Sequence, residues 1–215
     1  MRRVVAVWLP TWPTDRLRRN PGAPSPEMPL ITAANDGRRM VVAAADRAAL
    51  ALGIRPAMPL AHARAMVPGL TVVDADPEGD AAALARLSAR SLRYSPLTAS
   101  DPPDGVWIDI TGCDHLHGRE AAMLADLLQR LGRGGTHARA AVADTPGAGH
   151  GVTRFATDPA AVIAPGAHQA GSNETTSWYT FGDKSGTRRV ASGAKSMTYP
   201  VPESGGTAGG VSENI

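Results

Sequence analysis

A chain of 215 residues with 43% hydrophobic and 20% charged side chains is long enough for one ordinary domain with a sizeable core, plus a smaller lobe or a tail. A single cysteine, Cys113, excludes a disulfide framework and a cysteine-only metal cage, and the longest apolar runs, such as residues 4–9, fall far short of a membrane span. The formal charge of +2 is a small arginine excess, a weak pointer to nucleic acid, and Pro10, Pro13 and Asp15 interrupt any signal-peptide core after Arg2 and Arg3, so a soluble cytoplasmic protein with no membrane partner is expected.

Residues 3–9 form a continuous apolar run closed by Pro10, the pattern of a strand buried on both faces. Thr14 and Asp15 are expected to cap a short helix through Arg19. After a proline-rich loop, strands at 30–34 and 39–43 flank Asn35-Asp36-Gly37, a strong hairpin turn. Asp46 is placed to cap a helix ending at Gly53, and Pro59 opens a second that ends near Pro68-Gly69. A short strand at 70–73 and an alanine-rich helix over 80–94 follow. Residues 105–111 alternate, sending Val106, Ile108 and Ile110 to one face and Trp107, Asp109 and Thr111 to the other. Met123, Leu124, Leu127, Leu128 and Leu131 make one helical stripe ending at Gly132. A strand over 138–143, a helix over 150–155 and an edge strand over 161–163 complete the series. An α+β fold with helices on one face of a mainly antiparallel sheet fits this order.

Composition changes abruptly near residue 170. No lysine occurs up to Ala170; beyond it Lys184 and Lys195 appear and leucine vanishes. The last 45 residues hold eight Gly, seven Ser and six Thr without apolar periodicity. Such a stretch buries too little side chain to offset its backbone entropy, so 171–215 is expected to be a disordered tail, and the abrupt change of vocabulary suggests out-of-frame or foreign sequence.

The opening Arg-Arg with its buried strand, the segment from Val41 to Leu60 with Leu52-Gly-Ile-Arg-Pro-Ala-Met-Pro at its centre, the strand Asp104-Gly-Val-Trp-Ile-Asp-Ile-Thr-Gly112 leading to Cys113, and the turn Ala143-Asp-Thr-Pro-Gly147 into a helix resemble the palm and fingers of Y-family translesion DNA polymerases. The resemblance covers most of residues 2–168. It implies a ferredoxin-like palm over 1–170 with a small fingers lobe inserted at about 26–76.

Two-metal nucleotidyl transfer needs carboxylates that bring two Mg2+ to within about 4 Å of each other. By the resemblance, the first metal-binding Asp of the family falls on Trp8, whose indole binds no Mg2+, and a second falls on Pro10. The later Asp matches Asp104, but its Glu neighbour is Gly105, so two of three carboxylates are replaced. The nucleotide pocket is depleted in the same way: the selecting aromatic falls on or near Pro13, the triphosphate-holding Tyr and Arg read Arg47 and Leu50, and a phosphate-contacting lysine corresponds to Gly147, preceded by Pro146. The expectation is a non-catalytic, polymerase-shaped adaptor in DNA repair and damage-induced mutagenesis, with no catalytic, metal or nucleotide-binding residue and no cofactor.

The resemblance further implies weak binding to primer-template DNA, with a sliding clamp, an error-prone replicative-type polymerase and a RecA-like accessory protein as partners whose usual binding regions lie beyond the palm; the chain reads as the amino-terminal part of such an adaptor. Two other classes compete. An active polymerase would use Mg2+ on Asp104 with Asp144 or Asp101; a plain interaction domain would have no DNA role. Asp104 and Asp109, five apart, are expected to face opposite ways, with Asp109 a structural hydrogen-bonder. Cys113, His115 and His117 lack a fourth ligand at metal spacing and read as a surface turn. Arg16, Arg18 and Arg19 suit phosphates or a solvated helix face, and Trp8 and Trp12 suit either the core or the space of metal and nucleotide.

Overall fold

The computed structural model describes residues 2–167, and the stretch 171–215 with its change of vocabulary lies outside the described residues. The chain opens with β1 (Val4–Trp8), buried along most of its length, and α1 (Trp12–Arg18). Next come β2 (Leu30–Asn35), β3 (Met40–Ala45), α2 (Arg47–Ala51), α3 (Leu60–Met66) and β4 (Thr71–Asp74). Then follow α4 (Pro77–Arg90), β5 (Leu97–Asp101), β6 (Gly105–Asp109), α5 (Glu120–Arg133), β7 (Arg139–Ala143), α6 (Pro146–Phe155) and β8 (Ala160–Val162).

The larger sheet runs β5-β6-β1-β7-β8. β1 is antiparallel to both β6 and β7, β5 is antiparallel to β6, and β8 adds parallel to β7. Taken as β1-α4-β5-β6-α5-β7, this is the ferredoxin-like order, with α1 and a separate sheet β3-β2-β4 inserted between β1 and α4.

Strand alternation assigns the two faces of the larger sheet. Val5, Val7 and Leu9 of the first run join Val106 and Ile108 of β6 in a core closed by Leu84 of α4 and by Met123, Leu124 and Leu127 of α5. Burial of each such side chain stabilises the fold by about 1.5–3 kcal/mol. Ala6, facing the other way, meets α6: a Cβ on Gly149 would stand 2.9 Å from the Ala6 Cβ, so the helix lies this close only because residue 149 is glycine. The expectation of helices on one face is therefore corrected, since α6 covers the face opposite α4 and α5.

The smaller sheet has its own core, with Ile31, Ala33 and Val42 packed on Ala49, Ile54, Leu60 and Ala63. Its hairpin closes as the residues dictate: Asn35 Oδ1 accepts from the Gly37 amide at 2.8 Å, and Asp36 Oδ1 accepts from Arg38 and Arg39 at 2.9 Å. Gly37 sits at φ +93°, a backbone region that favours glycine. Asp46 caps α2 by accepting from the Ala49 amide at 2.8 Å.

Several boundaries move. α1 starts at Trp12, with no side-chain cap at Thr11. α4 starts at Pro77, because Asp76 rather than Asp80 accepts from the first turn, at Gly79. α6 starts at Pro146, capped by Thr145.

Candidate functional site

The end of β1 carries the positions that the resemblance singles out. Trp8 pairs with Gly105 of β6 and Arg139 of β7, and the Leu9 amide donates to the Asp104 carbonyl at 2.8 Å. Alternation turns Trp8 to the α6 face, where its Nε1 donates to Asp104 Oδ2 at 2.8 Å. Arg154 of α6 donates from Nη2 to the other oxygen, Oδ1, at 2.9 Å, and its guanidinium carbon lies 5.3 Å from the Trp8 ring centroid. Both Asp104 oxygens thus accept from protein donors, and the cation that neutralises the carboxylate also stacks on the indole. The pair is mostly shielded, with 28% of the Asp104 and 20% of the Arg154 side chain exposed.

One turn earlier on α6, His150 Nδ1 lies 3.8 Å from Asp101 Oδ2, and its ring stacks on Trp107 with centroids 6.2 Å apart. The His150 contact holds the Asp101 carboxyl below the usual carboxylate range, against the opposing effect of burial. Asp101 also fills the space beside Gly105: a Cβ there would lie 2.9 Å from the Asp101 Cβ, carbonyl oxygen and Oδ2. His150 and Arg154, four apart on one helix face, therefore meet Asp101 and Asp104 at one edge of the sheet.

Asp104 and Asp109 do not face opposite ways. Asp104 precedes β6 and escapes its alternation, reaching the α6 face, which Trp107 and by alternation Asp109 also occupy. Distance along the strand keeps them apart: Asp109 pairs with Arg2 at 3.3 Å and accepts from the Thr111 amide at 3.0 Å. Asp144 is also remote from Asp104, because β7 pairs Ala143 with Val4 at the far end of β1. There Asp144 accepts from Arg3 and from the Gly166 amide, both at 2.7 Å.

Pro13 lines a groove of about 350 Å³ with Ala43, Ala44 and Pro77, whereas Arg47 is exposed at the start of α2 and Leu50 packs on the small-sheet core. Gly147 lies in the first turn of α6, beside Pro146, which shares a surface groove with Arg2 and Val4. Pro13, Arg47, Leu50 and Gly147 thus belong to different elements, and Pro13 comes nearest the Trp8–Asp104 contact, since its groove is also lined by Pro102 and Pro103, just before Asp104. Trp12 is 2% exposed, in the core, and donates from Nε1 to the Asp80 carbonyl at 3.0 Å.

The three arginines of the first helix and its cap are engaged internally. Arg16 pairs with Asp76 and Asp80, Arg18 with Asp46 and the Pro24 and Ser25 carbonyls, and Arg19 lies over the Trp12 ring and donates to Thr136. Cys113, His115 and His117 occupy a turn around Asp114–His117, with the His117 ring 5.4 Å from that of Tyr94. Among the described residues no group of three or more His, Cys, Asp or Glu converges as metal ligands, and no helix is long and apolar enough to cross a membrane. Arg154 and His150 escaped the sequence reading; their spacing of four at the end of a helix was the available signal.

A ferredoxin-like sheet with a small sheet inserted after its first strand resembles in fold the corresponding part of solved Y-family DNA polymerases. The chain belongs to the impB/mucB/samB family, whose profile matches residues 17–149. It is 50% identical over 118 residues to Protein ImuB of Caulobacter vibrioides, in strains NA1000 / CB15N and ATCC 19089 / CIP 103742 / CB 15, covering 55% of this chain and 25% of that protein. The chain thus spans about a quarter of the length of the curated relatives it matches. Among solved structures it is similar to the insertion ternary complex of Dbh DNA polymerase, at a TM-score of 0.63 and 18% identity, over 78% of this chain and 50% of that one. It is also similar to DinB from Sulfolobus solfataricus, at a TM-score of 0.59 and 18% identity, over 78% and 49%. These two likenesses establish the fold.

Proposed function

We propose that the chain is a palm and fingers without catalysis, part of a polymerase-shaped adaptor in translesion synthesis and damage-induced mutagenesis, with residues 26–76 as its fingers. The observation that carries this reading is the engagement of both Asp104 oxygens by the Trp8 indole and the Arg154 guanidinium. Two-metal chemistry needs several carboxylates converging on the ions without a fixed cation between them. Trp8 supplies only a donor, Gly105 supplies nothing, and a divalent ion at Asp104 would have to compete with the guanidinium charge of Arg154 already paired there. This donor set does not fit a pair of Mg2+ ions. The likeness to Protein ImuB supports the placement in this branch of the family.

In this reading the polymerase shape is kept for weak, salt-sensitive contact with primer-template DNA, in the cytoplasm, while the sliding clamp, an error-prone polymerase and a RecA-like protein engage regions beyond the palm. One feature favours a second reading, an active polymerase: Asp101 and Asp104 lie at the same edge of the sheet. Primer extension with Mg2+ or Mn2+, alongside Mn2+ binding followed by electron paramagnetic resonance, separates the two. The expected result is no extension and the same weak Mn2+ binding in the parent chain and in Asp104→Asn. Mn2+-dependent extension lost in Asp104→Asn would overturn the proposal. A DNA-binding curve that is flat with salt, or absent at low salt, would favour an interaction domain with no DNA role.

A further inference from the structure

On the face of the sheet opposite α6, the ends of α1, α4 and α5 enclose a groove of about 520 Å³. Its floor is apolar, formed by Leu87, Leu127, Leu131 and Tyr94, and its rim is arginine: Arg19, Arg90, Arg93, Arg130 and Arg133. All five rim residues are exposed. Helix C-termini favour cations, which accounts for arginine in the last turns of α4 and α5. It does not account for their crowding. Burial pushes the Arg19 guanidinium down, and Arg90 and Arg16 push it the same way while Asp15 opposes them. The local acids are few: Asp126 binds Arg130 at 2.7 Å and accepts from the Tyr94 hydroxyl at 2.7 Å. Guanidinium groups present up to five donors each, so the rim retains ample capacity for carboxylates.

We propose that this groove docks an acidic peptide segment of a partner protein, with one or two large apolar side chains on the leucine floor and flanking Asp or Glu on the arginine rim. Three of the four floor residues are leucine, and the Tyr94 ring, 3% exposed and packed against His117 and Arg93, offers no open face for a base, which favours a peptide over nucleic acid. A duplex would need cations strung along a backbone path, and unstacked bases would need flat aromatic platforms, whereas this rim closes around a pocket with room for a few side chains. An acidic–apolar segment matches both charge and shape, the pattern of interfaces with an apolar centre and a polar rim. The inference does not depend on whether the palm is catalytic. The groove lies on the opposite face from the Trp8–Asp104 cluster, so a docked segment leaves that side open.

The test pans a random peptide library displayed on phage against the full chain, with counter-selection on the double variant R90E/R133E. The expected winners carry Asp or Glu around Leu, Ile, Phe or Trp. By fluorescence anisotropy they should lose about tenfold or more in affinity on R90E/R133E. They should change by less than about twofold on R38E/R64E, which makes the same charge change at exposed arginines elsewhere. Circular dichroism checks that both variants are folded, and replacing either the acids or the apolar anchors of a winning peptide should weaken it. Winners without acidic enrichment, no peptide that discriminates the parent from R90E/R133E, or a duplex oligonucleotide that competes with the peptide and loses as much affinity on R90E/R133E would overturn the proposal, the last in favour of a nucleic-acid site.

Discussion

Gly105→Ala tests whether the edge of the sheet at Asp104 is closed to the acid that family resemblance would place at 105. The new Cβ would lie 2.9 Å from three Asp101 atoms, one of them a backbone carbonyl oxygen that cannot swing aside. Overpacking of this kind costs about 1–3 kcal/mol. Gly105 does not have a positive φ, so reduced entropy of the unfolded chain returns about 0.4–1 kcal/mol. The net loss centres on about 1.3 kcal/mol, a fall of about 3–5 °C in Tm for a unit of this size. Gly105→Glu should lose about 1 kcal/mol more, through a third carboxylate beside Asp101 and Asp104 in a partly exposed setting. Asp101→Gly removes two of the three clashing atoms, so a double-mutant cycle by urea unfolding should show a favourable coupling of about 1 kcal/mol between positions 101 and 105. A neutral or stabilising Gly105→Ala, additive with Asp101→Gly, would refute the reasoning and leave room for an acid at 105.

Arg3 ties the start of β1 to the start of α5 and the ends of β7 and β8 through Glu120 at 2.6 and 2.7 Å, Asp144 at 2.7 Å and the Ile163 carbonyl at 2.8 Å, with only 9% of its side chain exposed. Arg3→Met should therefore cost about 3–5 kcal/mol in chemical denaturation, because two shielded carboxylates lose their cation, and Arg3→Met/Glu120→Gln/Asp144→Asn should recover most of it. Burial, with Asp126 adding to it, pushes the Tyr94 phenol up to about 12 from an ordinary 10. The folded chain holds this proton more tightly than the unfolded chain, so the stability it brings is complete below pH 10 and is lost between pH 10 and about 12. Absorbance at 295 nm in a Tyr179→Phe/Tyr199→Phe background should show the late titration, and Asp126→Asn should move it only part of the way back, burial being the larger cause.

The central fold was legible where a strand or helix declares itself by its own pattern. The doubly buried run of β1, the alternation of β6, the leucine stripe of α5 and the Asn-Asp-Gly hairpin each carry a local signal strong enough to survive tertiary context. β5 does not. Its sequence Leu-Thr-Ala-Ser-Asp has little apolar alternation, Leu97 is 64% exposed, and the strand exists because β6 offers it a hydrogen-bonding edge. The sequence pattern shows α6 four residues shorter than it is, for a related reason. Gly147, Gly149 and Gly151 make poor helix on their own, yet the Thr145 cap and close packing on β1 at Gly149 compensate. Its place on the second face follows from that contact, which no local pattern encodes.

At the Trp8–Asp104 contact, resemblance could point to replaced residues but not to what occupies their space. Tryptophan at 8 and glycine at 105 are visible in the sequence, and either alone would be compatible with an open pocket. The structure adds that Asp104 is neutralised by Arg154, fifty positions later, and that Asp101 stands against Gly105 while facing His150. These are long-range pairings set by the way α6 crosses the sheet. They also change the meaning of the remaining acid. An aspartate left unpaired in a partly shielded pocket would attract a cation from solution, whereas Asp104 already has one, fixed to a helix and stacked on the Trp8 indole. In the proposed reading, Trp8 and Arg154 act as one unit. Placing an acid at position 8 would give that new carboxylate to Arg154 as readily as to a metal, so ion binding there requires removing the guanidinium as well.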